Sequence, residues 1–442
     1  MRHIGLSAFK SCGLTIATVC LMFAGRAVAS GPAETTLYAF GSYNGDAGQP
    51  TAPVIFDTAG NLYGTTAFGG EFGYGAVFEL TPPAIQGGAW TEKILYHFTG
   101  TDGSQPSSGL IFDSRGALYG EAIYGGYNDA GVVFKLTPPA MQGGAWIEST
   151  VYGFCPTGDC TDGQWPSGGL VFKEGNLYGT AQTGGYASDG VIFELTRPHD
   201  KRTTWTESVL YTFGSENGRG NGYIPQTGVI FDEAGNLYGT TMGGGSTGYG
   251  VVFELASTGG VWTESVLYNF QGLADGFYPE AGLVFDKLGS LHGTTSAYGA
   301  SNGTVFKLSP PQVQGGTWTE SVLYSFKGFG ALDGSNPTAG VIFDGKDLFG
   351  TTTAGGTQGC AYNIVAGGCG TVFKLTPPKS GTGAWAEKIL WDCSLTDSGG
   401  GYYPAAPLKL RGGAFYGTTS DNIENRGGFC QSDCGAVFKL VP

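Results

Sequence analysis

The residues best able to do chemistry fall into a column. Four places before a recurring proline stand Asp46, Asp102, Asp162, Asn221, Asp275, Asp333 and Gly400. Carboxylates gathered at one mouth would hold a cation or a hydroxyl-rich ligand. An Asp before Gly also caps its own turn, and both readings stay open at this point. Single departures from the repetition are the other candidates. Glu121 replaces a threonine, Trp165 sits beside the Cys155/Cys160 pair, Lys409 interrupts an apolar run, and His292 replaces a tyrosine. Glu121 with Asp162 is the carboxylate pair that hydrolysis or elimination on a polysaccharide would require. His292 reads as a packed aromatic substitute. The glutamate of the repeated "WTE" phrase (Glu92, Glu207, Glu264, Glu320) reads as a solvated charge on an outer edge strand.

Other chemistries find no support. The sequence has no nucleotide-binding loop, no G-x-S-x-G elbow, no H-E-x-x-H and no EF-hand loop. Beyond the N-terminal segment the histidines are His97, His199 and His292, in different units, which argues against a histidine metal cluster or a Ser-His-Asp triad. No catalytic residue, metal or cofactor is assigned.

These residues ride on a repeat. "GNLYGTT" at 60–66 returns unchanged at 235–241, with looser copies at 116–122, 175–181, 289–295, 346–352 and 413–419. Its glycines are Gly64, Gly120, Gly179, Gly239, Gly293, Gly350 and Gly417, a spacing that belongs to a propeller or another array. Each unit holds four strand-like runs rich in Val, Ile, Leu, Tyr and Phe, and none has helical periodicity. The second unit shows them as "SGLIFD" (108–113), "ALYGEA" (117–122), "GVVFKLT" (131–137) and "IESTVYGF" (147–154). We call the four positions a, b, c and d. Run a is apolar on both faces, as expected of an innermost strand buried between neighbours. The N-terminal "TLYAF" (36–40) matches d, whereas the C-terminal "CGAVFKLVP" (434–442) ends on c. Pairing the two closes an all-β, seven-bladed propeller of four-stranded blades.

The combined pattern "GNLYGTT…GGGSTGYGVVFEL" (235–255) and its copies resembles the gloeo/verruco (GloVer) tandem repeat of bacterial extracellular proteins. The resemblance covers nearly everything after the N-terminal segment. It implies a secreted or surface-associated repeat protein and brings no established catalytic residues. Some relatives end in a C-terminal sorting anchor, for which this chain shows no apolar tail.

The first 29 residues read as a secretory signal: Arg2 and Lys10, then "CGLTIATVCLMFAG" (12–25), then "AVA" at 27–29. Residues 30–442 form the propeller domain. Loss of Arg2, Lys10 and Arg26 would take the formal charge from −14 to −17. That acidity argues against nucleic acid or an anionic membrane as partner. Cysteines in close pairs in an exported chain read as loop disulfides: Cys155/Cys160, Cys360/Cys369 and Cys430/Cys434, with Cys393 left over. By strand direction Glu121, Trp165, the aspartate column and the enlarged loops at 353–370 and 420–435 share one face. The expected function is a monomeric, periplasmic or extracellular binding or scaffold protein for carbohydrate or an extracellular protein. The alternative is a polysaccharide lyase or hydrolase. No membrane insertion is expected after signal cleavage.

Overall fold

Short β-branched and aromatic runs separated by glycine turns can bury themselves only by pairing, and they do so in seven antiparallel blade sheets, beside which two short two-stranded pairs form among the described residues. The computed structural model describes residues 32–442, apart from 42–44, 86, 142, 199, 201–203, 215–218, 273, 297–300, 314, 358–366, 382, 394–400 and 421–433. In the first blade strands a to d are Ile55–Phe56, Leu62–Thr66, Ala76–Thr81 and Thr91–His97, paired in that order. The other blades repeat this, and no α-helix occurs among the described residues. The seventh blade takes strands a, b and c from Lys409–Arg411, Ala414–Thr419 and Ala436–Val441, and its d strand from Ala33–Ala39. Tyr38 lies opposite Val437 and Thr36 opposite Phe438, with a bulge between. Strands c and d of the first blade carry the same irregularity between Val77 and Phe78. The N-terminal strand is therefore a displaced copy of every other d strand, and the ring closes as expected.

The repeated glycine has a steric cause. A Cβ on Gly64 would lie 2.5 Å from the Phe78 ring, and the other six glycines meet Phe134, Phe193, Phe253, Phe306, Phe373 and Phe438 at 2.5–2.7 Å. Six of these strand-c rings are packed by an aromatic that follows the d strand of the preceding blade. Phe98 meets Phe134 at 5.0 Å edge to face, and Phe40 meets Phe78 at 5.0 Å across the closure. Cys393 occupies this d-strand place in the sixth blade, where it is buried, and Trp391 packs on Phe438 at 4.8 Å instead.

A second repeated link runs along the channel side. The threonine after each glycine donates to a carbonyl of the next blade's inner strand: Thr65 to Ser108, Thr180 to Thr227, Thr240 to Ala281, Thr294 to Ala339, Thr351 to Ala406 and Thr418 to Ala52, at 2.9–3.4 Å. The last of these spans the closure. Six blades thus carry the threonine, and the second carries Glu121.

Two expectations need correction. The inner strand is not buried on both faces: Val54 is buried, but Ile55 and Phe56 are only partly so. One side of strand a faces the central channel, so its aliphatic residues form a ring around open space. The outer-strand glutamates are only partly solvated. Alternation along strand d puts Trp90, Glu92 and Ile94 on the partly buried side and Thr91 and Lys93 on the exposed side. Burial pushes Glu148, Glu207, Glu320 and Glu387 up to about 7, with Asp102, Asp162, Asp275 and Asp333 respectively adding repulsion.

Cys155 and Cys160 are joined by a disulfide, a bond that persists in oxidising compartments. Cys369 and Cys434 are disulfide-bonded as well, and the residues expected to pair with them, Cys360 and Cys430, lie outside the described residues. No helix among the described residues is long and apolar enough to cross a membrane.

Candidate functional site

The d–a and b–c loops lie at one end of the ring, which we call the upper face. From there the chain runs through a proline into strand a and down the channel. The residue before that proline is Gln49, Gln105, Trp165, Ile224, Tyr278, Asn336 or Tyr403 in successive blades, and in all seven it is left-handed, with φ between 51° and 62°. That region is disfavoured for residues with a Cβ and further disfavoured before proline. Hydrogen bonds to two blades hold it. Tyr278 donates its N–H to Tyr249 O of the preceding blade at 3.0 Å and accepts from Ser296 N of its own blade at 3.1 Å. Asn336 and Ile224 are fixed in the same way. Seven partly exposed side chains are thereby set at the upper rim on a backbone that cannot relax. Trp165 is one of them, with its ring 6.2 Å from that of Tyr124.

Below this rim an open stretch of the channel holds about 370 Å³. Its walls alternate with the period of strand a. Thr51, Ser107, Ser167, Gln226, Glu280 and Thr338 form an upper polar level. Pro53, Gly109, Gly169, Gly228, Gly282, Gly340 and Pro407 form a narrow middle level. Ile111 and Ile230 belong to an aliphatic level beneath. Lys409 stands exposed at the lower mouth beside Ile55, Phe56, Ile111 and Phe112, where a hollow of about 410 Å³ opens. Arg411 is occupied there: it donates to Asp57 O at 3.1 Å and stacks on Phe56 at 4.6 Å.

The aspartate column is placed elsewhere. Asp102 accepts from Tyr96 Oη and, at 2.8 Å, from Thr99 N. Asp162 accepts from Tyr152 Oη at 2.7 Å and from Cys155 N at 3.0 Å. Asp275 accepts from Tyr268 Oη and Gln271 N at 2.8 Å, and Asp333 from Tyr324 Oη at 2.8 Å and Lys327 N at 2.9 Å. Asp46 is buried, accepting from Ala47 N at 2.8 Å and Tyr38 Oη at 3.4 Å. Asn221 bonds Tyr211 Oη in the same position. Each therefore ties its own loop to the tyrosine of the strand just ended, and none lines the channel. These contacts push the hydroxyls of Tyr96, Tyr152, Tyr268 and Tyr324 up from their ordinary value, burial being the larger cause. The pairing also accounts for the exception. In the sixth blade the tyrosine is Trp391, which has no hydroxyl, and its loop carries Gly400, outside the described residues. Among the described residues no group of three metal-binding side chains gathers.

Glu121 and Asp162 are not brought together as a pair. Glu121 is 1% exposed. Its Oε2 accepts from Gly169 N at 2.8 Å, and its Oε1 faces Gly179 with no hydrogen-bond partner. Burial pushes its carboxyl up to about 8, although the Gly169 N–H and Ser108 hydroxyl pull the other way. The inner strand beside it is altered to match. Gly169 is left-handed, with φ 89°, and Gly168 O accepts from Gly228 N at 2.6 Å. A glycine pair at 168–169 permits the turn that presents an N–H to the glutamate. His292 is buried, packs edge-on against Phe343 at 5.0 Å, and meets Asp286 Oδ2 at 3.2 Å. Burial lowers its basicity more than Asp286 raises it. The enlarged loops at 353–370 and 420–435 lie largely outside the described residues.

Sequence reasoning missed the pre-proline column and Glu280. The signal was available in the seven prolines themselves: the residues on either side of them vary most in chemical type.

Solved structures similar to this chain include a polysaccharide lyase, 10% identical with a TM-score of 0.47, covering 93% of this chain and 99% of that one. The phage phi92 endosialidase is 11% identical with a TM-score of 0.44, covering 92% and 68%. A luciferin-regenerating enzyme is 12% identical with a TM-score of 0.43, covering 76% and 90%. No curated protein matches the sequence. The profile of the Gloeobacter/Verrucomicrobia repeat matches residues 26–230 and 225–442, nearly the whole chain, and the protein belongs to that repeat family.

Proposed function

We propose that this propeller is an exported binding protein whose ligand, a carbohydrate, seats on the upper face over the channel mouth. The observation that carries the reading is the ring of seven pre-proline residues held left-handed between blades. Strain of this kind persists where surrounding contacts enforce it, and it clusters at sites of function. The rim combines Trp165, Tyr278 and Tyr403 with Gln49, Gln105 and Asn336. Flat rings suit the apolar faces of sugars, and amides suit their hydroxyls. Because the backbone is fixed beforehand, little ordering entropy is lost on binding.

Binding is favoured over hydrolysis by the carboxylate inventory. Glycoside hydrolysis in its usual form needs two carboxyl groups about 5–10 Å apart. Among the described residues lining the upper channel Glu280 is the one carboxylate, and Glu121 is sealed behind the wall. Export rests on the N-terminal basic-apolar-"AVA" sequence and agrees with the Cys155–Cys160 disulfide. A glycan array on the mature protein, followed by titration of any hit, tests the reading. Trp165→Ala should weaken binding by about 1–3 kcal/mol without changing the melting temperature. Trp262→Ala, in an outer strand, should lower the melting temperature and leave binding intact. Normal binding by Trp165→Ala together with loss of binding on changing 310–316 would put the site on the opposite face.

A further inference from the structure

One ion pair breaks the symmetry of the upper face. Seven carbonyls accept the N–H groups of the rim residues, and of the residues that supply them Asp189 alone carries a carboxylate. Asp189 lies in the b–c loop of the third blade, and its carbonyl accepts from Ile224 N at 2.9 Å. Its buried side chain takes Arg219, from the loop between the third and fourth blades, in two contacts: Nε to Oδ2 at 3.0 Å and Nη2 to Oδ1 at 2.8 Å. The guanidinium also lies over the Tyr223 ring at 4.7 Å. Tyr223 in turn rests against Gly243, where a Cβ would overlap the ring. The backbone of Arg219 is left-handed, with φ 74°, and its carbonyl accepts from Gly222 N at 3.1 Å and Gly245 N at 3.0 Å. Main chain and head group are thus both fixed, yet the side chain is 57% exposed.

We propose that Arg219 is the recognition point for the carboxylate of an acidic sugar, a uronate unit within a glycan that lies on the upper face. A guanidinium carries five N–H donors in a planar fork. Asp189 takes the side-on pair, one on Nε and one on Nη2. The end-on pair, one on Nη1 and one on Nη2, meets no acceptor among the described residues. That pair matches the two oxygens of a carboxylate. Asp189 sets the orientation beforehand, so little side-chain entropy is lost when a second carboxylate arrives. Asp189 also offsets part of the positive charge, and the formal charge of −14 opposes anions at long range. The hold must therefore come from the geometry of the fork and from sugar contacts beside it. Trp165 occupies the preceding rim position, and Tyr186, 86% exposed, belongs to the same loop as Asp189. Rings there suit the apolar faces of the sugar units next to the uronate. The inference deepens the proposed function and rests on the upper face being the ligand face.

The test is calorimetric titration of the full mature chain at about pH 7, where a uronate is ionised. The probes are trigalacturonate and glucuronosyl-xylotriose, each beside its carboxyl-reduced neutral counterpart, with sulfated maltotriose and triglutamate as other anions. The proteins are the wild type, Arg219→Gln, Arg219→Lys and Trp165→Ala. At least one uronate should bind more tightly than its reduced counterpart. Arg219→Gln should weaken that uronate at least about tenfold, as loss of a hydrogen bond to a charged group does, and leave the reduced counterpart unchanged. Arg219→Lys should recover little of the loss, because an ammonium keeps the charge without the fork. An arginine that only ties two loops would, when replaced, lower the melting temperature and weaken charged and neutral probes alike, and that result overturns the proposal. So does absence of binding by both uronates, or equal binding by Arg219→Gln. Sulfated maltotriose or triglutamate held in preference to both uronates, and lost in Arg219→Gln, overturns the assignment to a uronate. Neutral glycan binding that depends on Trp165 but ignores Arg219→Gln, with no preference for the uronates, overturns this anchor and leaves the proposed function standing. Failure of every glycan, neutral or acidic, removes both.

Discussion

Glu121 fills a place that threonine holds in six blades, and the change is compensated in the next blade's inner strand, at Gly169, far from it in sequence. A threonine there donates to a carbonyl; Glu121 Oε2 instead accepts from the N–H of Gly169, which the adjoining inner strand turns toward it. The glycines at 168–169 make that turn possible, with Gly169 at φ 89°. Its carboxyl, pushed up to about 8 by burial, is protonated near neutrality. The folded-state value lies above that of the unfolded chain. Its contribution is therefore fully present below about pH 4.5 and is lost as pH rises toward about 8. Denaturant unfolding at about pH 6 and pH 8.5 should show lower stability at the higher value, with a local slope of at most ~1.4 kcal/mol per pH unit from this residue. Glu121→Gln should flatten that slope and cost little at pH 6, because the amide resembles the neutral acid. A wild-type profile that is unchanged by the substitution would mean that the carboxyl is ionised in the fold. A second residue-scale prediction concerns Gly168. A Cβ there would lie 2.5 Å from Gly228 N, a backbone atom, and 2.4 Å from Thr180 Oγ1. Gly168→Ala should destabilise by roughly 1–3 kcal/mol, read as a shift in the denaturant midpoint without a change in slope.

The element that decides closure is the N-terminal strand Ala33–Ala39 with Phe40 behind it. It covers the open edge of Ala436–Val441, and an uncovered edge invites pairing with other chains. Phe40 also caps Phe78 as the other d-strand aromatics cap theirs. Deleting 33–40 should therefore cost several kcal/mol and promote association, measured by melting temperature and light scattering. An unchanged melting temperature would refute the closure. Phe40→Ala should lose roughly 3–5 kcal/mol while keeping the strand paired. The tyrosine–aspartate link belongs to this scale as well. Tyr152 with Asp162 and Tyr324 with Asp333 lock outer strand to loop, and the sixth blade dispenses with both partners together.

For the whole molecule, repetition turns a small local effect into a ring-wide one. Glu148, Glu207, Glu320 and Glu387 each titrate near 7 because the strand-d pleat turns them toward the neighbouring blade and an aspartate. Their folded values exceed those of the unfolded chain, so stability should fall as pH rises from about 4.5 to about 7. These groups keep some contact with water, which screens the repulsion and makes each contribution modest. Replacing all four with glutamine should raise the denaturant midpoint at pH 8 and change it little at pH 5. Equal midpoints at both values in the wild type would show that water or counter-ions already offset the repulsion. Intact mass of exported material should begin at Ser30, and a retained Met1 would remove the basis for export.

The blade count, the strand order and the displaced d strand were legible because one spacing rule repeats seven times. Local propensity, glycine turns and the mismatch of the two ends all agree. Cys155 and Cys160 were legible as neighbours for the same local reason. What each polar residue faces was not. The pleat of strand d, not its charge, turned the "WTE" glutamates partly away from solvent. The tyrosine six to ten residues before each aspartate, not a shared mouth, claimed the column. The left-handed rim arises from hydrogen bonds to two different blades. Sequence periodicity determines which elements form and in what order. Only the closed ring decides which side chains meet, because those contacts are made between blades and not within them.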